Sequence, residues 1–283
     1  MKRQRLFTIL IVLFWSCGQG QSRKGDYIPE EFDYDYMNPT VYKLTTKLQE
    51  ISGIAFKDGK ADYIYAIQDE LGIVYKIDLA TKKSKKAKFH KKGDYEDISI
   101  LGDDLVILRS DGELFFYPIS EVMEKNDVKV KSLKHLFPKA EYEGLYADNK
   151  KNKIYVLCKV CEDKDQYNKG IVYMLDMNHT NPKPVEIIFD ITKNQQKKDF
   201  RPSALAFNEK TKEWYILSSI NLSIVITDEN WKVKDVLKLK RTSFYQPEGI
   251  AFDEDNNLYI SNEGGEYSAA NILKYKRINT KSK

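Results

Sequence analysis

Three glutamates recur at one position of a short phrase that the chain repeats five times. The copies begin at Ser52, Glu96, Glu143, Ser203 and Glu248. Two like charges about 6 Å apart repel by roughly 3 kcal/mol at an effective dielectric constant near 20, so carboxylates gathered on one axis favour a bound cation or protonation. Because oxygen-only ligands favour a hard ion, we predict Glu96, Glu143 and Glu248 as ligands of Ca²⁺ or another hard divalent cation.

A second set of polar residues accompanies these glutamates, mostly where the strand after each phrase ends. We predict that its members line a channel or bind a ligand: Ser52, Gln68, Asp69, Glu70, Arg109, Lys159, Arg201, Asn262 and Glu263. A purely structural role is the alternative. In that case the glutamates cap strand ends, accept backbone N–H bonds from a neighbouring blade and bind nothing.

The elements that must position these side chains are short strands. Each phrase leads into a polar turn and a strand rich in aliphatic or aromatic residues, as in 253–257 followed by 258–261, and a third strand usually follows. Repeats of this length made only of strands and turns are typical of β-propeller blades, whose first strands line a central channel. The sequence therefore predicts an all-β propeller, with five blades from the phrase count and six as the alternative.

The ends of the repeat region predict how the ring closes. The last repeat stops after its third strand, whereas residues 40–44 form a strand before the first phrase. We expect this N-terminal strand to become the outer strand of the last blade, because an open ring would leave sheet edges unpaired.

The wording and order of the phrases resemble one family. Residues 50–55 (EISGIA), 246–253 (QPEGIAFD) and 257–263 (NLYISNE) are similar to repeats of the SdiA-regulated, YjiK/CarP-like family of bacterial envelope propellers. The resemblance covers about residues 41–278 and implies a five-bladed propeller related to metal-dependent, phytase-like propellers. One branch of that family is associated with calcium response. The resemblance implies no settled reaction.

The N-terminus predicts export. A basic start is followed by a predominantly apolar run of ten residues, Leu6–Trp15, which as a helix spans about 15 Å, roughly half of a bilayer core. We predict a signal peptide at 1–16, a lipid-anchored tether at 17–39, the propeller at 40–278 and a tail at 279–283. Residues 14–17 resemble a lipobox, so Cys17 would carry the lipid and hold the protein in the cell envelope, at the outer membrane. An ordinary signal peptide is the alternative.

The charge balance argues against nucleic acid as a partner. The chain has 46 Lys and Arg against 42 Asp and Glu, and three of the positive residues are in the leader. We expect a monomer whose partners are the membrane and a small ligand or cation. One local run, Lys82–Lys92, holds seven lysines and predicts either a site for an anionic glycan or phospholipid headgroup or a solvated loop.

The pair Cys158 and Cys161 has the C-x-x-C spacing, without a second pair for zinc. A disulfide, reduced core thiols and, least favoured, a redox motif remain open. Residues three apart on a strand point to opposite faces, so a disulfide would require a turn to begin at Cys158.

Three functions fit these observations. The first is a binding module with an acidic channel mouth. The second is a metal-dependent hydrolase of phosphoesters or lactones, in which Lys159, Arg109 or Arg201 would steady negative charge. The third is a protein-interaction scaffold with an inert channel.

Overall fold

Five four-stranded antiparallel sheets form the fold. The structure is a computed structural model that describes residues 33–123, 130–162, 166–191, 199–266 and 268–278. The prediction of an all-β, five-bladed propeller is confirmed, and the six-bladed alternative is wrong. The helices of the described chain are 3₁₀ turns at Thr46–Leu48, Lys57–Gly59 and Ile119–Met123.

The blades follow one another in chain order, each running from an inner to an outer strand. Blade 1 contains β2 (Ile51–Ala55), β3 (Tyr63–Gln68), β4 (Ile73–Asp78) and β5 (Ser84–Lys88). Blade 2 contains β6 (Tyr95–Leu101), β7 (Asp104–Arg109), β8 (Leu114–Pro118) and β9 (Lys131–Leu133). Blade 3 contains β10 (Ala140–Asp148), β11 (Lys153–Cys161), β12 (Lys169–Asp176) and β13 (Val185–Asp190). Blade 4 contains β14 (Ala204–Asn208), β15 (Glu213–Ser218), β16 (Ser223–Asp228) and β17 (Val233–Lys238). Blade 5 contains β18 (Pro247–Phe252), β19 (Leu258–Asn262), β20 (Asn271–Tyr275) and β1 (Thr40–Lys43).

The inner strands are mostly buried on both faces because every blade packs against two neighbours. All five residues of the inner strands β2 and β14 are buried, and so are all five of β19, the second strand of blade 5. Five apolar clusters fill the five spaces between successive blades. Between blades 3 and 4, the rings of Trp214 and Trp231 stack with centroids 4.4 Å apart, and such a pair adds about 0.5–1.5 kcal/mol beyond its buried area.

The turns after the inner strands are shaped by Asp and Asn. Asp148 Oδ1 accepts N–H bonds from Lys150 and Lys151, and Asn208 Oδ1 accepts the equivalent bonds from Lys210 and Thr211. Side chains of this type bond to the backbone two or three residues later and so favour a turn. The polar turns read from the sequence therefore end the inner strands as expected.

The ring closes as predicted. β1 pairs antiparallel with β20, in a register that runs from Thr40 opposite Lys274 to Lys43 opposite Asn271. Every strand of the ring therefore lies between Thr40 and Tyr275.

Residues before β1 also pack against the ring. Tyr34, which lies within the predicted tether 17–39, forms a β-bridge with Arg277 and is 2% exposed. Its ring packs between blades 4 and 5, where its hydroxyl accepts a hydrogen bond of 3.0 Å from Asn208 Nδ2. The predicted signal peptide, Cys17 and the tail lie outside the described residues, and no helix of the described chain is long and apolar enough to cross a membrane.

Deleting residues 40–46 should lower the thermal midpoint by roughly 10 °C or more, because the deletion leaves blade 5 with an open edge and uncovers apolar surface. Differential scanning calorimetry measures this. A matched control, Thr40→Ser with Lys43→Gln, changes two exposed side chains but keeps the backbone ladder, and its midpoint should equal that of the wild type. An unchanged midpoint after the deletion would refute the role of β1 in closure.

Candidate functional site: the acidic mouth of the channel

β-Bulges mark the start of the inner strands. The pairing register shifts between Tyr95 and Asp97, between Tyr142 and Gly144 and between Pro247 and Gly249. Each shift leaves one residue unpaired, and the three unpaired residues are Glu96, Glu143 and Glu248. A bulge re-aims a side chain that strand alternation would otherwise place against the neighbouring blade. The three predicted metal ligands therefore share one local geometry at one end of the channel.

Carboxyl groups from different blades interact at this mouth. Burial, together with the charges of Asp94, Glu248 and Glu141 and against the opposing charge of Lys159, raises the pKa of Glu96 to about 8. Burial likewise raises the pKa of Glu248 to about 7, against the opposing effects of Lys159 and of hydrogen bonds with Ser219, Gln246 and Ser203. Ring geometry thus brings together acids that lie up to 152 positions apart (248 − 96).

Blade 5 adds a further carboxyl to the mouth. Burial, together with the negative charges of Glu248, Asp69 and Glu50, raises the pKa of Glu263 to about 8. The preceding Asn262 is 1% exposed. Its Nδ2 donates to Asn271 Oδ1 at 3.1 Å, while its Oδ1 has no hydrogen-bond partner in the described chain. Among the described residues, Asn262 therefore supplies an unsatisfied oxygen acceptor, and Glu263 adds a carboxyl, at this end of the ring.

Blade 1 contributes Asp69 and a residue that the sequence analysis missed. Burial, then the charge of Glu50, raises the pKa of Asp69 to about 6, and the buried Oδ1 of Asp69 lacks a partner among the described residues. Gln68 Nε2 donates to Glu50 Oε2 at 3.0 Å, and Gln68 Oε1 accepts the N–H of Leu71. Glu70 is exposed and adds to the negative charge around Asp69. Glu50 stands immediately before β2, and only its position next to the first phrase could have signalled it.

Lys159 is the basic residue of the mouth, and its ammonium group already forms ion pairs with two glutamates. It occupies a bulge of β11 and forms ion pairs with Glu143 and, at 3.3 Å, with Glu141. Glu143 is therefore ion-paired, unlike Glu96 and Glu248, on which Lys159 acts as the main neutralising charge.

The two arginines that were predicted to line the channel form ion pairs with other residues. Arg109 Nη2 lies 2.6 Å from Asp111 Oδ2 and 2.6 Å from Glu113 Oε2. Arg201 pairs with Asp199 at 3.1 Å and donates to the carbonyl oxygen of Lys159 at 3.3 Å. Of the predicted basic residues, Lys159 is therefore the one that lowers the pKa of the mouth glutamates.

Bonding between blades falls mainly to residues that the sequence analysis did not select. The buried Asp97 accepts the N–H of Leu145 at 2.7 Å, and Ser99 Oγ accepts that of Ala147 at 2.8 Å. Ser261 Oγ donates to the carbonyl oxygen of Ser52 at 2.7 Å. In the sequence, the polar residues Asp97 and Ser99 alternate with apolar residues directly after Glu96, and this pattern could have indicated their bonds to the next blade. These bonds leave little need for Glu96 to act as a strand cap.

The carboxyls are close enough to interact but are not arranged around one point. In residues 33–278, leaving aside the undescribed gaps, no three His, Cys, Asp or Glu side chains are placed as ligands of one metal ion. A metal ion at this mouth would therefore require side chains to rotate toward it. Calcium binding stays a prediction.

A cavity lies at the other end of the channel. It encloses about 390 Å³ between the far ends of the inner strands and is lined by apolar residues such as Ile54, Leu145 and Ile250. An ion pair of 2.8 Å between Lys150 and Glu209 stands at its rim. The channel thus has one acidic end and one largely apolar end.

Cys158 and Cys161 face one another within β11. Their Cα atoms are 5.9 Å apart, and the structure joins their sulfur atoms. The expected turn at Cys158 is absent: the strand continues to Cys161, and the bulge at Lys159 resets the alternation so that both cysteines reach the core beside blade 2. The same bulge therefore directs both cysteines into the core and places Lys159 beside Glu143.

Comparison with known proteins identifies the family. The SdiA-regulated family model matches residues 34–267. The chain belongs to the SdiA-regulated family. No curated protein matches it.

Solved structures similar to this SdiA-regulated propeller share its fold at low identity. Myxococcus xanthus glutaminyl cyclase has a TM-score of 0.56 and 12% identity, over 84% of this chain and 94% of the cyclase. A luciferin-regenerating enzyme has a TM-score of 0.54 and 10% identity, over 86% and 96% of the two chains. Regucalcin from Agrobacterium tumefaciens, a calcium-binding protein, has a TM-score of 0.51 and 7% identity, over 84% and 93%. These similarities support the propeller fold. They carry no information about the chemistry of this chain, which has to be argued from its own side chains.

Without added metal, stability should fall as the pH rises from about 5 to about 8. The folded-state pKa values of Glu96 and Glu263 (about 8) and of Glu248 (about 7) exceed the ordinary value of 4.5, so the folded chain binds more protons than the unfolded chain in this window. Glu96→Gln removes one such titration and should raise the thermal midpoint at pH 8.5 by roughly 5 °C, as measured in buffer containing a chelator.

The matched control for this measurement is Glu254→Gln. Glu254 is exposed at the far end of the channel, and its substitution by Gln removes one negative charge, as Glu96→Gln does. Its midpoint should follow the wild-type pH dependence. Equal pH dependence in wild type and Glu96→Gln would show that Glu96 does not titrate as described.

Proposed function

We propose that this SdiA-regulated propeller is an exported, lipid-anchored binding module whose acidic channel mouth holds a cation, either a divalent metal ion such as Ca²⁺ or a ligand bound through it. The apolar run at Leu6–Trp15 and the lipobox-like residues ending in Cys17 support export and anchoring in the cell envelope. The likeness to regucalcin, a calcium-binding protein, adds only the precedent of the fold.

One observation carries the proposal: three partly buried carboxyls from two blades share the mouth, where Glu248 adds to the raised pKa of Glu96 and of Glu263, and where Lys159, already paired with Glu143, is the charge that opposes the shifts of Glu96 and Glu248. Crowded carboxylates of this kind are relieved either by protons or by a cation. The partnerless Oδ1 atoms of Asp69 and Asn262 offer two more oxygen ligands in the same region. Hard divalent cations prefer such an all-oxygen environment.

Isothermal titration calorimetry with CaCl₂ tests the proposal on residues 18–283, which contain every strand of the ring. We expect binding at pH 8.5 that weakens at pH 6, because protons compete for Glu96 and Glu248. Glu248→Gln should weaken binding by roughly tenfold or more, since it removes a charged oxygen ligand.

Glu254→Gln is again the matched control, because it removes one carboxylate from the opposite end of the channel. It should bind Ca²⁺ like the wild type. If the wild type shows no binding heat at millimolar Ca²⁺ and pH 8.5, the cation site is refuted; equal weakening by both variants would indicate binding through overall charge.

A hydrolase is the second candidate, and the position of Lys159 favours it. The ammonium group acts on both Glu96 and Glu248, so a basic group stands beside carboxylates that could hold a metal. A bound metal would polarise a phosphoryl or carbonyl oxygen, and Lys159 would stabilise the negative charge that develops there.

A panel of phosphoesters and lactones assayed with Ca²⁺ separates hydrolysis from binding alone. Hydrolysis predicts turnover in the wild type that falls by roughly 100-fold in Lys159→Gln and in Glu248→Gln, whereas Glu254→Gln retains it. Calcium binding without turnover would retire the hydrolase for these substrates and leave the binding module standing.

A further inference from the structure

Seven exposed lysines follow the outer edge of blade 1, and we call them the lysine edge. Two lie in the turn after β4, three on β5 and two in the loop toward β6: Lys82, Lys83, Lys85, Lys86, Lys88, Lys91 and Lys92. No acidic residue occurs between Leu79 and Gly93. At about 3.3 Å per extended residue, the lysine edge is up to about 33 Å long.

The charge of the lysine edge is largely unpaired within the described chain, although Lys83 acts on the nearby carboxylate of Asp78. No ion pair joins any of its members to a carboxylate there, whereas exposed lysines elsewhere do pair, as Lys139 does with Glu162 at 2.8 Å and Lys212 with Glu209 at 3.0 Å. In the ladder of blade 1, Lys85 stands directly opposite Lys76. Like charges at opposed positions destabilise a sheet, so this surface favours an external anion.

Protection of a sheet edge does not account for so many lysines. Lysine on an outer strand does discourage pairing with another sheet. However, β13, the outer strand of blade 3, carries Glu186 and Asp190 and exposes Val185 and Ile188 to 52% and 53%. An outer strand of this propeller therefore does not need a lysine run.

The lysine edge lies beside the strand through which the chain enters the ring. A groove of about 140 Å³ between blades 5 and 1 is lined by Tyr42 and Lys43 of β1 and by Lys82 and Ser84 of blade 1. Residues 18–32 precede the described chain, and 15 residues span at most about 50 Å. An anchor at Cys17, which is part of the proposed function, would therefore keep the lysine edge near the bilayer.

We propose that the lysine edge docks the propeller on an anionic membrane, with its ammonium groups binding the phosphates of lipid headgroups. Clustered lysines are attracted to such a surface, and a basic patch is the kind of second signal that strengthens lipid anchoring. This function uses other residues than the cation site: five of the seven lysines lie on β5 or in the turn before it, and Lys91 and Lys92 lie in the loop that leads to the mouth. Residues 18–283 hold 43 basic and 42 acidic residues, so net charge cannot supply the attraction.

Vesicle cosedimentation of residues 18–283, which lack the predicted anchor, tests the docking surface. We expect binding to phosphatidylcholine vesicles with about 30% phosphatidylglycerol, none to phosphatidylcholine alone, and loss of binding near 0.5 M NaCl. The quadruple variant Lys82→Gln, Lys83→Gln, Lys86→Gln and Lys88→Gln should lower the partition coefficient by roughly tenfold or more.

A second quadruple variant on blade 4 is the matched control: Lys210→Gln, Lys212→Gln, Lys232→Gln and Lys234→Gln, all exposed. It changes the net charge equally and should bind vesicles like the wild type. An equal loss in both variants, or a wild type that does not prefer anionic vesicles, overturns the proposal. Binding to heparin without binding to vesicles also overturns it, since that result indicates an anionic glycan. Because calorimetry of the channel mouth is a separate measurement, either proposal can fail alone.

Discussion

Convergence of five inner strands on one axis is the constraint on which the site depends. Residues at equivalent positions of distant repeats are forced together whether or not their charges agree. Here the openings of blades 2 and 5 place Glu248 close enough to Glu96 to add to the rise that burial causes in the pKa of Glu96, and Lys159 offsets this only in part because it also pairs with Glu143. The apolar clusters between blades hold the ring together against this repulsion. A fold that tolerates such crowding is suited to binding positive charge.

At a bulge, two neighbouring residues have different surroundings. In blade 2, Asp97 is buried and bonds to the N–H of Leu145 in blade 3, while Glu96 stands in the unpaired position beside it. Burial raises the pKa of Asp97 well above its ordinary value, so the bonded residue is itself poorly suited to carry charge. The residue that bonds between blades and the predicted ligand Glu96 are therefore adjacent in the sequence but have different surroundings.

Much of the architecture could be predicted, because a repeat exposes its period in the sequence. The five phrases indicated five blades, and the unpaired strand at residues 40–44 indicated how the ring closes. The site was less accessible, since a bulge adds one residue without a composition of its own. The bulge at Lys159 is the clearest example: simple alternation demanded a turn at Cys158, whereas the strand continues to Cys161. Ion pairs were equally hard to predict. The sequence placed Arg109 near the mouth but did not indicate that Asp111 and Glu113 would bind its guanidinium group.

The two charged regions also differ in how a membrane would affect them. The lysine edge lies on an outer strand of blade 1, whereas the acidic mouth is formed where inner strands begin. Contact through the outer strand leaves both ends of the channel open to solvent. An anionic surface also concentrates cations within about a Debye length, near 8 Å at physiological ionic strength. Docking and cation binding use different residues, but the two charged regions approach each other at Lys91 and Lys92, because the loop that holds these lysines is hydrogen-bonded to Glu70 and leads into Glu96.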